Sequence, residues 1–475
     1  MKKIIIILTA TAMFIGCAVG PDYKRPKVAM PDAHRADMTV TEKKAVADLP
    51  WWDIFKDPVL KNLIDEALKN NMDLKMATAR VAQMRSLTGV ANGDFFPQIN
   101  YSAIGNRGKN VPADGLTSNT TGNMAMGNLG FQWELDVWGR VRRASESAGA
   151  QYLASVEARR DIMILLIAEV ANAYFELREL DNELEIAKRT EDSFQDTYNL
   201  FMRRYKGGEA SLLESSRAGA ALAQTSAAIP YLESQIFAKE NEVNFLLGKG
   251  PASIQRGQAL SNQYLTPIIP SGVPSSLLER RPDIREAEAN LIAANADIGV
   301  AKAAFFPQFS LTGLLGASSP DLKTFSHSWA LGGGVTGPIF NGGKIWSNYN
   351  ATKHVYEQVK TQYEKTVINA LREVSDTLTL QQKLVGVRDQ QAKAVEFLRK
   401  ATRLSIARYS GGLARYTEVL DAQQQLFPAE NNLAQTDRDR LLAMVQLFKA
   451  LGGGWEIIEQ PIQVKQPIQA KQLKK

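Results

Sequence analysis

Between Ala150 and Lys206 the chain contains no proline and no glycine. Across that stretch Val170, Ala173, Leu177, Leu180, Leu184, Ala187, Phe194, Tyr198, Phe201 and Tyr205 recur in alternating steps of three and four, with only Glu191 out of register. That spacing is the seam of a coiled coil. It predicts one helix over about residues 142–206, which at the α-helical rise would reach roughly 95–100 Å. No compact domain needs such a length. A structure that bridges a wide aqueous gap does.

The helix runs into Arg204-Tyr-Lys-Gly-Gly-Glu-Ala-Ser-Leu-Leu-Glu214, and later the chain repeats the phrase as Arg408-Tyr-Ser-Gly-Gly-Leu-Ala-Arg-Tyr-Thr-Glu418. Each glycine pair, Gly207 with Gly208 and Gly411 with Gly412, supplies the positive φ that ends one helix and turns into the next. Both read as tips of helical hairpins. After the second, a helix starts at Tyr416 or Thr417, and Glu418 and Asp421, three apart, share one of its faces. The first tip returns helically from Ser211 to Leu247, and a matching return helix follows the second. Pro230 and Pro428 fall inside these return helices and are expected to kink or break them.

The repetition extends further. Phe305-Phe-Pro-Gln308 restates Phe95-Phe-Pro-Gln98, Leu451-Gly-Gly-Gly454 restates Leu247-Gly-Lys-Gly250, and a second long helix is predicted over about 346–409 through Val367, Leu371, Val374 and Leu378. Before each long helix the period drops to two. Leu129, Phe131, Trp133, Leu135 and Val137 alternate with Asn128, Gly130, Gln132, Glu134 and Asp136. Strands are predicted over about 98–107, 127–137, 308–316 and 329–339. Strands of this length, apolar on one side and polar on the other, suit either a membrane β-hairpin or a soluble hairpin with one buried face. Four such strands cannot close a barrel, and open edges are not tolerated in lipid. A membrane reading therefore requires several copies of the chain, and two, three or four copies would supply eight, twelve or sixteen strands.

The N-terminus has the form of an export signal. Lys2 and Lys3 precede an apolar run from Ile4 to Ile15 that is too short to span a bilayer and ends at Gly16-Cys17, the only cysteine. A lone cysteine cannot close an intramolecular disulfide. Directly after the apolar run and between small residues, Cys17 resembles a lipoprotein processing site, and Ala18 in place of an acid is similar to lipoproteins passed on to the outer membrane. Loss of residues 1–16 would remove two lysines from a net charge of +6, a balance that gives no reason to invoke nucleic acid. A mean hydropathy of −0.21 excludes a polytopic helical membrane protein.

Cys17 with Gly20-Pro-Asp-Tyr-Lys-Arg-Pro26, Trp51-Trp52, Glu134-Leu-Asp-Val-Trp-Gly-Arg140, Leu277-Leu-Glu-Arg-Arg-Pro-Asp-Ile284, Ala293-Ala-Asn-Ala-Asp-Ile-Gly299 and Glu418-Val-Leu-Asp-Ala-Gln423 together resemble the TolC-type outer membrane efflux proteins, most nearly their lipoprotein or NodT branch. The resemblance covers the mature chain from end to end. It implies a fold that is mixed all-α plus transmembrane β-barrel, made of two pseudo-repeats of strand, strand, long helix and return helix. It also implies a homotrimer, with a twelve-stranded barrel continued by a periplasmic α-helical barrel. The boundaries expected are a signal peptide at 1–16, a lipid-anchored extended tether at 17–50, repeats at 51–260 and 277–455 joined by a linker at 261–276, and a basic tail at 456–475. The implied partners are a periplasmic adaptor, an inner membrane transporter of the RND type and outer membrane lipid. The implied role is passive exit of drugs or other toxic small molecules.

The family's periplasmic aperture maps onto Tyr409, Glu418 and Asp421, with Arg415 beside Ala414, where the family pattern often has arginine. Three Asp421 carboxylates in a ring would favour cations and repel one another. The plainer reading is that Glu418 and Asp421 are first-turn acids favoured by the helix dipole. Gly207, Gly208, Gly411 and Gly412 fall where the family meets its adaptor. No cofactor is expected beyond the N-acyl and diacylglyceryl lipid on Cys17.

Other classes find less support. Gly332-Gly-Gly-Val-Thr-Gly337 fits G-x-G-x-x-G in letters, but no helix opens after it. His34, His327 and His354 have no ligand spacing, and no nucleophile and base are paired, so neither a metal site nor an enzyme is expected. A non-conducting structural envelope lipoprotein would not need amphipathic strands. An exit duct for secreted proteins would use the same architecture.

Overall fold

The computed structural model describes residues 18–31, 56–109, 121–263, 277–321 and 323–453. Cys17, Trp51-Trp52, the signal segment, most of the tether and linker, and the basic tail lie outside them. The elements in order are α1 (Pro58–Asn70), α2 (Met72–Gly93), β1 (Gln98–Lys109), β2 (Thr121–Leu135), α3 (Arg140–Lys206), α4 (Leu212–Leu246), α5 (Leu277–Arg280), α6 (Pro282–Ala303), β3 (Gln308–Ser319), β4 (Ser326–Thr336), α7 (Lys344–Ser410) and α8 (Tyr416–Ala450). The long helices α3 and α7 each have 67 residues, and the return helices α4 and α8 each have 35. Among the described residues no helix is long and apolar enough to cross a membrane.

Two expectations need correction. Of the kink or break expected at Pro230 and Pro428, the break does not occur, because α4 and α8 continue through them. A proline withholds one N–H from the ladder, and in each case the flanking turns hold the helical path. Val137 and Ile339 are not in strands. β2 stops at Leu135 because the Asp136 carboxylate turns to cap the next helix, accepting hydrogen bonds from the backbone N–H of Val141 at 2.9 Å and Arg142 at 3.0 Å. β4 stops at Thr336, ahead of Gly337-Pro338, where the chain lacks a ladder donor. Gly332, Gly333 and Gly334 lie inside β4, which removes the helix that a dinucleotide loop requires.

The described residues form two compact units. One contains residues 18–28, 78–157 and 285–366, with all four strands. The strands make one antiparallel meander in the order β1-β2-β3-β4. Its register aligns Tyr101, Leu129, Leu315 and Trp329 in a row across the sheet, and Ile99, Phe131, Gly313 and Leu331 in the next row on the same face. The Phe131 ring crosses Gly313 so closely that a Cβ there would overlap it. The opposite face carries Ser102, Asn128, Gly316 and Ser328. Tyr101 is 85% exposed, Trp329 80% and Leu331 72%. Large apolar side chains left open in rows mark a surface that water is not meant to wet.

The same unit holds the first described residues. Ala18 to Lys27 has no regular structure and is strapped down by specific contacts. The Val19 N–H donates to the Trp138 carbonyl at 3.0 Å, and Arg25 makes a two-pronged ion pair with Glu288 at 2.6 and 2.7 Å. Gly139, at φ +79°, sits where a Cβ would come within 2.7 Å of Ala18. Trp138 stacks on Phe306 with centroids 4.6 Å apart and donates its indole N–H to the Pro307 carbonyl, which explains the Phe-Phe-Pro motif.

The second unit contains residues 56–77, 158–263, 277–284 and 367–453. Its apolar core gathers Leu60 and Ile64 of α1, Tyr174, Phe175 and Leu177 of α3, Val243 and Leu247 from the end of α4, and Met444 and Phe448 of α8. Asp57, 1% exposed, caps α1 through the Val59 N–H and accepts the Tyr174 hydroxyl at 2.8 Å and the Gln263 side-chain amide at 2.8 Å. These donors hold its carboxyl below the usual range against the opposing effect of burial.

Candidate functional site

The two hairpin tips belong to this second unit and share one turn. The Gly207 N–H reaches the Arg203 carbonyl and Glu209 the Arg204 carbonyl; Gly411 reaches Ala407, and Leu413 reaches Arg408. Of each glycine pair only the second member takes positive φ, Gly208 at +79° and Gly412 at +73°. At Gly207 and Gly411 an added Cβ would make ordinary contacts only, so each turn draws on one left-handed glycine of its pair.

The return helices start differently. Ser211 caps α4 with a full capping box: its hydroxyl accepts from the Glu214 N–H, and the Glu214 carboxylate accepts from the Ser211 N–H at 2.9 Å. At the matching position of α8 stands Arg415, extended at φ −85° and ψ 152°, with no side-chain cap. Arg415 therefore precedes the helix, and it is exposed. Glu418, free of a capping box, lies 3.9 Å from Arg408. Asp421 is exposed and accepts from the side-chain amide of Gln425 at 2.9 Å.

What starts α8 is packing. Tyr416, 1% exposed, lies on Phe201 of α3 with centroids 4.0 Å apart, and Tyr409 of α7 packs on the same ring at 5.3 Å. Arg204 of α3 donates to the Tyr409 hydroxyl at 2.9 Å. Ala218 and Val419 complete the cluster. The Tyr416 hydroxyl is buried without a partner, and burial, with Tyr409 beside it, pushes it up to about 12. Hence the structure joins Tyr409 to Arg204, Phe201 and Tyr416, while Asp421, Glu418 and Arg415 stand exposed outside that cluster. Phe201 is marked in the sequence as a seam position and Arg204 as part of the repeated Arg-Tyr phrase, but neither signal points to Tyr409 as their partner.

Beyond the tip, α3 and α8 are joined by polar side chains. The Gln423 amide donates to the Ser193 hydroxyl at 2.9 Å. Glu430, 5% exposed, accepts Arg189 of α3 at 2.6 Å and Arg399 of α7 at 2.7 Å. Further along, Gln435 meets Glu183 at 2.9 Å and Arg438 meets Glu179 at 3.2 Å. Leu180 and Leu184, which the heptad reading put in the seam, are only half-buried, while Glu179 and Glu183 are buried.

Of the described residues, Ala18 stands next to Cys17. Ala18 packs against Gly139, between β2 and α3, and Cys17, the lipidation candidate, lies outside the described residues.

Comparison with known proteins adds a family. The profile described as outer membrane efflux protein matches residues 63–249 and 273–453. The chain is 35% identical to the toluene efflux pump outer membrane protein TtgC of Pseudomonas putida, over 96% of each chain. It is 33% identical to the cation efflux system protein CusC of Escherichia coli O157:H7, over 93% of this chain and 96% of that one. Among solved structures, the outer-membrane channel OprN superposes with a TM-score of 0.86 at 29% identity, covering 93% of this chain and all of the other.

Proposed function

The chain belongs to the outer membrane efflux protein family, and from that premise we propose that it is the outer membrane channel of a tripartite efflux system. In this reading three copies form a twelve-stranded barrel, and their long helices continue it as a periplasmic tube. The observation that carries the reading is the sheet: β1 and β4 are its edges, and one face is a continuous apolar surface. Such a sheet is stable in lipid only when its edges are paired, and further copies of the same chain offer complementary edges.

The channel works passively. Its cargo is a toxic small molecule handed over by an inner membrane transporter through a periplasmic adaptor that meets the Gly207-Gly208 and Gly411-Gly412 tips. Relatives named for toluene and for cations match this chain over nearly its whole length, which supports assigning cargo choice to the partners rather than to the duct. A diacylglyceryl and N-acyl group on Cys17 anchors the chain to the outer membrane. The aperture is closed where Arg204 holds Tyr409 and the aromatic cluster seats Tyr416, while exposed Asp421 supplies a carboxylate ring that favours cations. Arg415, exposed and uncapped, adds positive charge next to that ring.

Single-channel recording of the purified protein in planar bilayers tests this. The wild type should conduct with a cation preference that Asp421→Ala lowers. Absence of conductance in both forms would refute the channel, and unchanged ion preference would refute the role of Asp421.

A further inference from the structure

The seam between α3 and α8 is apolar at two places and polar between them. Tyr174 and Leu177 meet Met444 and Phe448 in one core, and Phe201 meets Tyr416 and Val419 in the other. The polar stretch between contains a charge imbalance. Glu179 and Glu183, one turn apart on α3, are 4% and 8% exposed, so two acidic side chains of one helix face are buried side by side.

The groups around them are few. Arg438 of α8 donates to Glu179 at 3.2 Å, but it is shared with Asp439, which it meets at 2.8 and 3.0 Å. Gln435 of α8 donates a neutral amide to Glu183. Glu176 on the same face of α3 is engaged by Lys239 of α4, itself divided with Glu242. Arg388 of α7 is taken by Asp437. Two buried carboxyl groups thus face part of one guanidinium. Like charges side by side and out of water resist ionising together.

We propose that the Glu179 carboxyl, buried beside Glu183, holds a proton and forms a pH-sensitive switch in the α3–α8 seam, which grips when the proton is bound and loosens when it leaves. In the bound state only one of the pair carries charge, while Arg438 donates to Glu179 and Gln435 to Glu183. Deprotonation releases the proton to water and leaves two carboxylates side by side, and their repulsion falls across the seam. The Glu179 carboxyl is pushed up to about 8, first by burial and then by Glu183 beside it, with Arg438 opposing.

The sign follows from linkage. The packed seam binds a proton that a separated, hydrated seam releases above the ordinary glutamate range. The grip is therefore fullest below that range and declines as pH rises toward about 8. One proton changes the opening equilibrium by at most about tenfold per pH unit. This device acts on the hairpins and is independent of what the channel carries.

Two measurements on the full-length protein test it. Infrared spectroscopy should find a protonated carboxylic-acid carbonyl band at neutral pH that disappears as the pH passes 8. Glu179→Gln and Glu183→Gln should each diminish the band, and Glu185→Gln, at an exposed position, should leave it intact. Spin labels at the exposed positions Asp192 of α3 and Asn432 of α8 should report a longer or broader distance at pH 9 than at pH 5, a change that Glu179→Gln removes. If Glu179→Gln does not fold, Glu183→Gln serves for both. A wild-type band undiminished in both variants, or a spin–spin distance independent of pH, would overturn the proposal.

Discussion

The two hairpin tips use the same turn and then begin their return helices by opposite means. At the first, Ser211 and Glu214 satisfy the free N–H groups of α4 from within four residues of chain, and the neighbouring Leu212 is 59% exposed. At the second, Arg415 offers no cap, and the matching apolar residue, Tyr416, is buried against Phe201 of the other hairpin. A helix started by its own cap keeps its start wherever the hairpin goes. A helix started by packing keeps it only while the partner is in place. The second tip is therefore the one whose local order depends on contact between hairpins, and the one that can be released by breaking a small number of contacts.

That contrast can be broken most strongly at Tyr416. Tyr416→Ala should cost about 3–5 kcal/mol of local stability, seen as lost hydrogen-exchange protection in the first turns of α8, whereas Leu212→Ala at the first tip should cost less than about 1 kcal/mol. Next comes the tie between hairpins. Tyr409→Phe keeps the ring and removes the acceptor for Arg204, for an expected loss of about 1.5–3 kcal/mol, read as faster exchange at both tips. Smaller again is the cap itself. Arg415→Ser, with Glu418 already at the third helical position, should build the box that α8 lacks and gain about 1 kcal/mol, and Ser211→Ala should lose about the same from α4. Thermal melting of the two variants should move in opposite directions. The smallest effect is expected for Glu418→Gln, because its 3.9 Å approach to Arg408 joins two exposed side chains. A change beyond about 0.5 kcal/mol would show a role for Glu418 that the geometry lacks.

Much of this architecture was legible in the sequence because it rests on periodicity. Steps of three and four gave α3 and α7, and strict alternation gave the two faces of β2. The strand ends were misplaced because Asp136 was counted as the polar member of an alternation when its carboxylate caps α3. Pro230 and Pro428 each remove one backbone donor from a helix of 35 residues, and the remaining hydrogen bonds keep it continuous. The tip illustrates the other limit. Tyr409 was found through its motif, yet Phe201 and Arg204 lie about two hundred residues earlier, and their contact with it depends on how two hairpins pair. The seam was read as Leu180 and Leu184, since periodicity favours apolar residues. Nothing local marks Glu179 and Glu183 as buried, because burial there depends on Gln435 and Arg438 of a distant helix.

The central claim is that the contact of Arg204 with Tyr409, and not the turn that both tips share, keeps the aperture closed. Single-channel open probability tests it most directly, comparing Arg204→Ala and Tyr409→Phe with Tyr205→Phe, which changes the exposed tyrosine at the matching place on the first tip. The account predicts that the first two raise open probability well above that of the wild type and that Tyr205→Phe leaves it unchanged. Wild-type gating in Arg204→Ala and Tyr409→Phe, or equal opening by Tyr205→Phe, would contradict it.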